Sequence, residues 1–207
     1  MPDTLKYDQI LNALQKLLKS KDIKSISISE IAQTAGIGKG SIYYYFPSKD
    51  SILEALIERT YEKPLKTATT LADQKEVSPF TRMAMIFQAC QNSSSEFLKQ
   101  KNTSATGAQE QAYIHQKFMN HLIGGLKPTL SEIIRQGIEK GQIRFEYPAA
   151  LAEIVLIVLT VKLDNTILPS TQEEIETTVR ALVALLEKGT ENPIGSLNFL
   201  TVFDKNK

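Results

Sequence analysis

The chain has almost no net charge, one cysteine, two histidines and no long apolar run. Its 24 lysines and arginines nearly balance 23 acidic residues, leaving +1. No global field announces a polyanionic partner, so any nucleic-acid site must be a local patch. The lone Cys90 excludes an intrachain disulfide and fits a reducing compartment. His115 and His121 are not spaced i, i+4, so one helix cannot aim both at a metal as an HExxH pair does. No metal and no cofactor is expected. The most apolar stretch, IVLIVLTV at 154–161, lies between Glu153 and Lys162 and is far shorter than the roughly 18–20 residues of a membrane span. The opening MPDTLKYDQI has no apolar signal-peptide core. These absences predict a soluble, cytoplasmic protein with no membrane partner. Phosphate-binding loops, nucleotide-binding glycine fingerprints and nucleophile motifs are also missing, so no enzyme is expected.

What remains is helical periodicity. With 207 residues and 42% hydrophobic content, the chain can bury a real core. Tyr7, Ile10, Leu11, Leu14, Leu17 and Leu18 form one helical stripe; Ile175, Val179, Leu182, Val183 and Leu186 form another. SISIS at 25–29 alternates but is too short to build a sheet. An all-α protein of about nine helices follows. Breaks are expected at 20–27, 36–38, 47, 74–78, 101–107, 124–128, 141–148 and 168–171, with an irregular tail from Asn192.

The first 47 residues predict three short helices. The second opens with SISE, where Ser27 and Glu30 can form a capping box. Gly36 suits the left-handed position after it. The third starts near Gly38 or Lys39 and must end by Phe46, because Pro47 disfavours α geometry in the residue before it. Two short helices joined by a glycine turn make a helix-turn-helix, whose second helix can enter a DNA major groove. Three consecutive tyrosines cannot share a buried face at ~100° per residue. With Ile42 and Phe46 as the inner side, Tyr43 and Tyr45 fall about 80° to either side and Tyr44 points outward with Gly40 and Ser41. Phenols can donate to phosphates, and rings can touch thymine methyls. Lys39 and Lys49 can each neutralise a phosphate. The bland alternative is a boundary helix with half-buried rings and wet hydroxyls.

The run SISEIAQTAGIGKGSIYYYFPSKDSILEAL at 27–56 closely resembles the DNA-binding domain of TetR-family transcriptional regulators. The resemblance covers about residues 5–60. It rests on the hydroxyl-rich entry, IA..AG, the lysine–glycine pair, the aromatic run ending in Phe and the following SK. It implies a contact set of Lys39, Gly40, Ser41, Tyr43, Tyr44, Tyr45 and Lys49, with Ser27 and Ser29 near phosphates. Gly38 stands where the family often has serine, and Tyr45 where histidine is common. The implied layout is a DNA-binding domain at 1–47 and a helical effector-binding and dimerisation domain at 48–207. The linking helix would start at Ser48, with Asp50 in its first turn, and run at least to Glu62 before Pro64 kinks or ends it.

The body carries soft side chains that adapt to irregular ligands. Phe80, Met83, Phe87 and Cys90 fall roughly on one helix face; Tyr113, Phe118 and Met119 lie on the next helix. These seven are the candidate lining for a small apolar or amphipathic effector, against the plainer reading of an ordinary core. Pro128 is expected at a helix start and Gly141 after its end. The helix at 149–167 is apolar on nearly every face, so it must be buried on more than one side. Paired with 171–188, and taken with the family resemblance, it predicts a homodimer through a two-fold four-helix bundle, against a monomer that buries both helices within itself. The expected seam is Leu151, Ile154, Val155 and Val158 with Ile175, Val179, Leu182, Val183 and Leu186. Together these features predict a dimeric repressor on palindromic double-stranded DNA. The alternatives are a helical enzyme or sequestering protein with a vestigial head, and a constitutive DNA-binding dimer with no ligand.

Overall fold

A computed structural model describes residues 4–99, 108–163 and 169–201, with side chains described outside 92–112, 114 and 115. Eight α-helices and one short 3-10 turn are present among these residues, and no strand. They are α1 (Thr4–Leu17), α2 (Ile28–Ala35), α3 (Lys39–Tyr45), α4 (Lys49–Ala72), α5 (Pro79–Lys99), α6 (Ala108–Glu139), α7 (Pro148–Leu163) and α8 (Gln172–Gly189), followed by the turn at Asn198–Thr201. The expected break at 101–107 and the expected stretch 164–167 of the seventh helix lie outside the described residues. Two compact units form. One is Met1–Glu62 with Ser93–Phe118; the other is Lys63–Asn92 with Met119–Lys207.

In the first unit α1 packs on α2 and α2 on α3. The stripe read from the sequence is the one buried: Ile10, Leu11 and Leu14 are inaccessible, and Leu18 nearly so. Ile31 and Ala32 of α2, Ile42 of α3, Phe46 and the inner stripe Ile52, Leu53, Leu56 and Ile57 of α4 are also buried. Ser27 caps α2 in the full reciprocal box, accepting from the Glu30 N–H at 3.2 Å and donating its own N–H to the Glu30 carboxylate at 2.8 Å. Ser48 does the same for α4, with Ser51 as its partner at 3.1 and 3.2 Å.

The second unit departs from the sequence reading in two helices. Pro64 neither ends nor breaks α4, which runs on to Ala72. Pro128 does not start a helix; α6 passes through Gly124, Gly125 and Pro128 without a break. A proline inside a helix costs about 3 kcal/mol and a glycine about 1. Burial of the segments beyond these breakers offsets that cost. Ala68, Leu71 and Ala72 of α4 share a core with Ile86, Leu126, Ile133 and Leu156. Gly125 is there because Leu65 of α4 sits on it: a Cβ would lie 2.7 Å from a Leu65 methyl. The C-terminal carbonyl of α4, on Ala72, accepts from the buried Arg82 guanidinium at 3.2 Å and from Gln136 at 3.3 Å. Arg82 also donates to Gln136 at 2.6 Å.

The tail from Asn192 is not simply irregular. The buried carboxylate of Glu187 accepts from the N–H groups of Gly195 and Leu197 at 2.9 and 3.0 Å. This folds the chain back so that Leu197 and Leu200 share a core with Leu159, Val179 and Val183. No described helix is long and apolar enough to cross a membrane.

Candidate nucleic-acid interface

Residues 36–46 build one small surface. Gly36 ends α2 in the left-handed region, φ 70°, where a non-glycine residue is strained. Its N–H and that of Ile37 return to the last carbonyls of α2, at Gln33 and Ala32. The chain then re-enters a helix at Gly38, which is extended and offers no side-chain cap. Two turns later Phe46 leaves helical geometry at φ −136° while its N–H still reaches the Ile42 carbonyl at 2.8 Å. Pro47 follows, so α3 is short by construction.

Ile42 and Phe46 are buried on the inner side, and the Tyr7 ring lies 4.9 Å from the Phe46 ring. The tyrosines then follow the helical wheel. Tyr44 is 74% exposed and Tyr43 51%, whereas Tyr45 is half-buried. Tyr44 and Tyr45 meet edge to face at 5.0 Å and 84°. Lys39 and Gly40 are exposed and Ser41 is half-buried. A Cβ built on Gly38 or Gly40 would meet no atom within 4 Å, so the surface before the rings is bare backbone. Ser27 and Ser29 are exposed at the start of α2. Among the predicted contacts of this region, Lys49 is placed differently. Its ammonium donates to the carbonyls of Ile23 and Ile26, the latter at 2.7 Å, with Lys24 at 3.4 Å. Those carbonyls hold the cation against the α1–α2 connection, and it does not join the open face.

Two charged clusters flank the helix starts. Lys21 donates to Glu30 at 2.6 Å. That hydrogen bond, then those from Ser27, pull the Glu30 carboxyl from 4.5 down to about 2. At the start of α4, Asp50 accepts from the Tyr113 hydroxyl at 2.5 Å and from Lys117 at 2.9 Å, while Lys117 also reaches Glu54 at 2.5 Å. Burial alone would raise the Asp50 carboxyl; the Tyr113 and Lys117 hydrogen bonds and the Lys117 charge outweigh it and hold it below the usual range.

Five of the seven candidate effector residues pack against other apolar side chains, while Tyr113 is exposed. Phe118 is buried edge-on against Tyr61 at 5.6 Å, and the Tyr113 hydroxyl is taken by Asp50. Met83 and Cys90 pack on the Leu126–Ile133 core, and Phe80 and Phe87 on the Val179–Val183 core. Met119 is half-buried. Burial pushes the Cys90 thiol up to about 12, which makes it a poor nucleophile. Among the described residues no three His, Cys, Asp or Glu side chains gather as a metal site.

The predicted seam is redistributed by the packing. Ile175, Val179 and Val183 are buried inside the unit's own core, Leu151 packs on Ile134 and Ile143, and Val155, Leu182 and Leu186 lean on these clusters. Val158 is half-buried. A helical stripe reports which side is buried but not whether the cover is intra- or intermolecular. The large apolar residues of α7 and α8 that face out are Ile154 at 51%, Ile157 at 46% and Leu185 at 70%. The sequence reading named only Ile154. Ile157 was visible in the all-round apolar run, while Leu185 sits off the regular stripe.

Comparison with known proteins accords with this geometry. Residues 10–56 match the model of bacterial regulatory proteins of the tetR family, and residues 92–185 match that of the Tetracyclin repressor-like C-terminal domain. The chain belongs to the TetR family. It is 34% identical over 64 residues to the HTH-type transcriptional regulator EthR of Mycobacterium tuberculosis; the match covers 31% of this chain and 30% of that protein's length. Among solved structures it is similar to SmeT, the repressor of the Stenotrophomonas maltophilia multidrug efflux pump SmeDEF, with 15% identity, TM-score 0.63, and 97% and 94% of the two chains covered. It is also similar to a TetR regulatory protein of Rhodobacter sphaeroides, with 19% identity, TM-score 0.58, and 86% and 96% covered. At these identities the structural likeness speaks for the fold.

Proposed function

We propose that the chain is a DNA-binding transcriptional regulator that acts in the cytoplasm as a dimeric repressor on a palindromic operator. The observation that carries this reading is the outward face of α3. A helix two turns long, fixed at both ends, presents an exposed tyrosine beside open backbone, with a lysine at its entry. Within the proposed division, residues 1–47 bind DNA and residues 48–207 bind the effector and dimerise. Lys39, Gly40, Ser41, Tyr43 and Tyr44 form the contact face, Tyr45 its margin, and Ser27 and Ser29 lie toward the phosphates. Each subunit sets α3 in a major groove, with half-site centres about 34–36 Å apart. A small apolar effector that takes over part of the packing of the half-buried Phe80, Met83 and Phe87 releases the operator by favouring a dimer whose heads no longer match that spacing.

The test is binding of the full chain to duplexes selected from a random pool. Tyr44→Ala and Lys39→Ala should each weaken binding at least fivefold, on the order of 1 kcal/mol, with an unchanged melting temperature. Affinity should fall with salt, log K against log salt sloping by about −0.9 for each phosphate neutralised. A flat salt response on duplex DNA removes the reading.

A further inference from the structure

The outward face of α3 is poor in the side chains that most often read bases by paired hydrogen bonds. Guanine is commonly taken by arginine or lysine, adenine by asparagine or glutamine, and cytosine by an acid. Of these types residues 38–46, GKGSIYYYF, contain only Lys39, at the helix entry. The polar groups offered are the Lys39 ammonium, the Ser41 hydroxyl and three phenols. Gln33 is exposed, but on α2, the helix that crosses the DNA backbone in a helix-turn-helix. Against this shortage the face has an excess of ring. Tyr44 is 74% exposed with its ring edge to face with Tyr45 at 5.0 Å. Bare backbone at Gly38 and Gly40 lets the helix come close. The apolar group on the major-groove edge of a base pair is the thymine methyl.

Resting on the DNA-binding reading above, we propose that this protein reads its half-site chiefly through thymine methyl groups, with the Tyr44 ring as the principal contact and Tyr43 as the second. The phenolic hydroxyls go to phosphates, which position the helix without reading sequence. Lys39 supplies at most one guanine contact per half-site. The operator is then specified by where thymines lie on the groove edge, and their methyls carry the discrimination.

The experiment uses the full chain and the tightest duplex recovered from a random pool. Each thymine of one half-site is replaced in turn by 2′-deoxyuridine, which removes the methyl and keeps every base-edge hydrogen-bonding group. At one or two positions the loss should be about fourfold, the value for one buried methyl group. Tyr44→Ala should be indifferent to the replacement at its own position. Tyr44→Phe should keep the full sensitivity, because the ring and not the hydroxyl makes the contact. A pool-selected duplex bound equally well with and without every methyl overturns the proposal and leaves the regulator reading intact. So does a Tyr44→Ala protein that keeps the wild-type sensitivity. If no duplex in the pool is bound in a salt-dependent way, the DNA-binding reading fails and the methyl readout falls with it.

Discussion

Glu30 shows how one side chain serves two neighbours. Its carboxylate closes the capping box of α2 and takes the Lys21 ammonium, which together with Ser27 holds its pKa near 2. The folded value lies below the ordinary 4.5, so the folded state binds this proton less readily than the unfolded chain. The contribution is complete above about pH 4.5 and is lost as the pH falls toward 2. Glu30→Gln should therefore be less stable than wild type at neutral pH, and the gap should narrow below about pH 4.5 and close only near pH 2 in parallel chemical denaturations. A gap that does not narrow would assign the effect to packing. Gly38 is the opposite case, a cap position left empty. It is extended, at φ −69° and ψ 145°, and a Cβ there meets nothing. Gly38→Ser should raise stability by a few tenths of a kcal/mol, read as a small increase in melting temperature.

At the scale of elements, α6 carries glycines whose substitution should have opposite signs. Gly124 is exposed in mid-helix and a Cβ there meets no atom, so Gly124→Ala should stabilise by about 0.5–1 kcal/mol through backbone entropy. Gly137 is buried, and its Cβ would lie 2.8 Å from the Ile143 methyl and 3.2 Å from the Pro79 ring. The ring is rigid and cannot swing away. Overpacking costs about 1–3 kcal/mol, which exceeds the helix-propensity gain, so Gly137→Ala should lower the melting temperature. Equal shifts of the same sign in the two variants would mean that Pro79 does not pack tightly on α6.

For the whole molecule, the proposed dimer turns on α7 and α8. Ile157 and Leu185 are both exposed, so glutamates at the two sites leave the folded subunit nearly untouched. Within a seam they bury unpaired like charges close to their own copies. The double variant Ile157→Glu, Leu185→Glu should sediment as a monomer at micromolar concentration, keep most of its helicity, and lose tight binding to a palindrome. Val183→Glu is the contrast: Val183 is 5% exposed within the subunit core, so it should cost several kcal/mol of folding stability. A double variant that stays dimeric places the interface elsewhere.

Local chemistry determined much of α1 to α3, down to the direction of the α3 side chains. The Ser27–Glu30 box, the left-handed Gly36, the stop at Pro47 and the α1 stripe depend on contacts between residues close in the chain, and periodicity reports those. The outward aim of Tyr44 follows from Ile42 and Phe46 once α3 exists. Tertiary structure decided what depends on distant residues. Whether Pro64 and Pro128 end their helices turned on Leu65 meeting Gly125 and on the core shared by Leu71, Leu126 and Ile133. A break signal is a cost of a few kcal/mol, and burial brought in from far along the chain can exceed it. The fate of Lys49 was likewise hidden, because the carbonyls that hold it lie more than twenty residues upstream. The α8 stripe could be seen to be buried, but it took the folded chain to show that its cover is the α7 side and the returning Leu197–Leu200 tail of the same subunit, leaving Ile154, Ile157 and Leu185 as the large apolar side chains still exposed on α7 and α8.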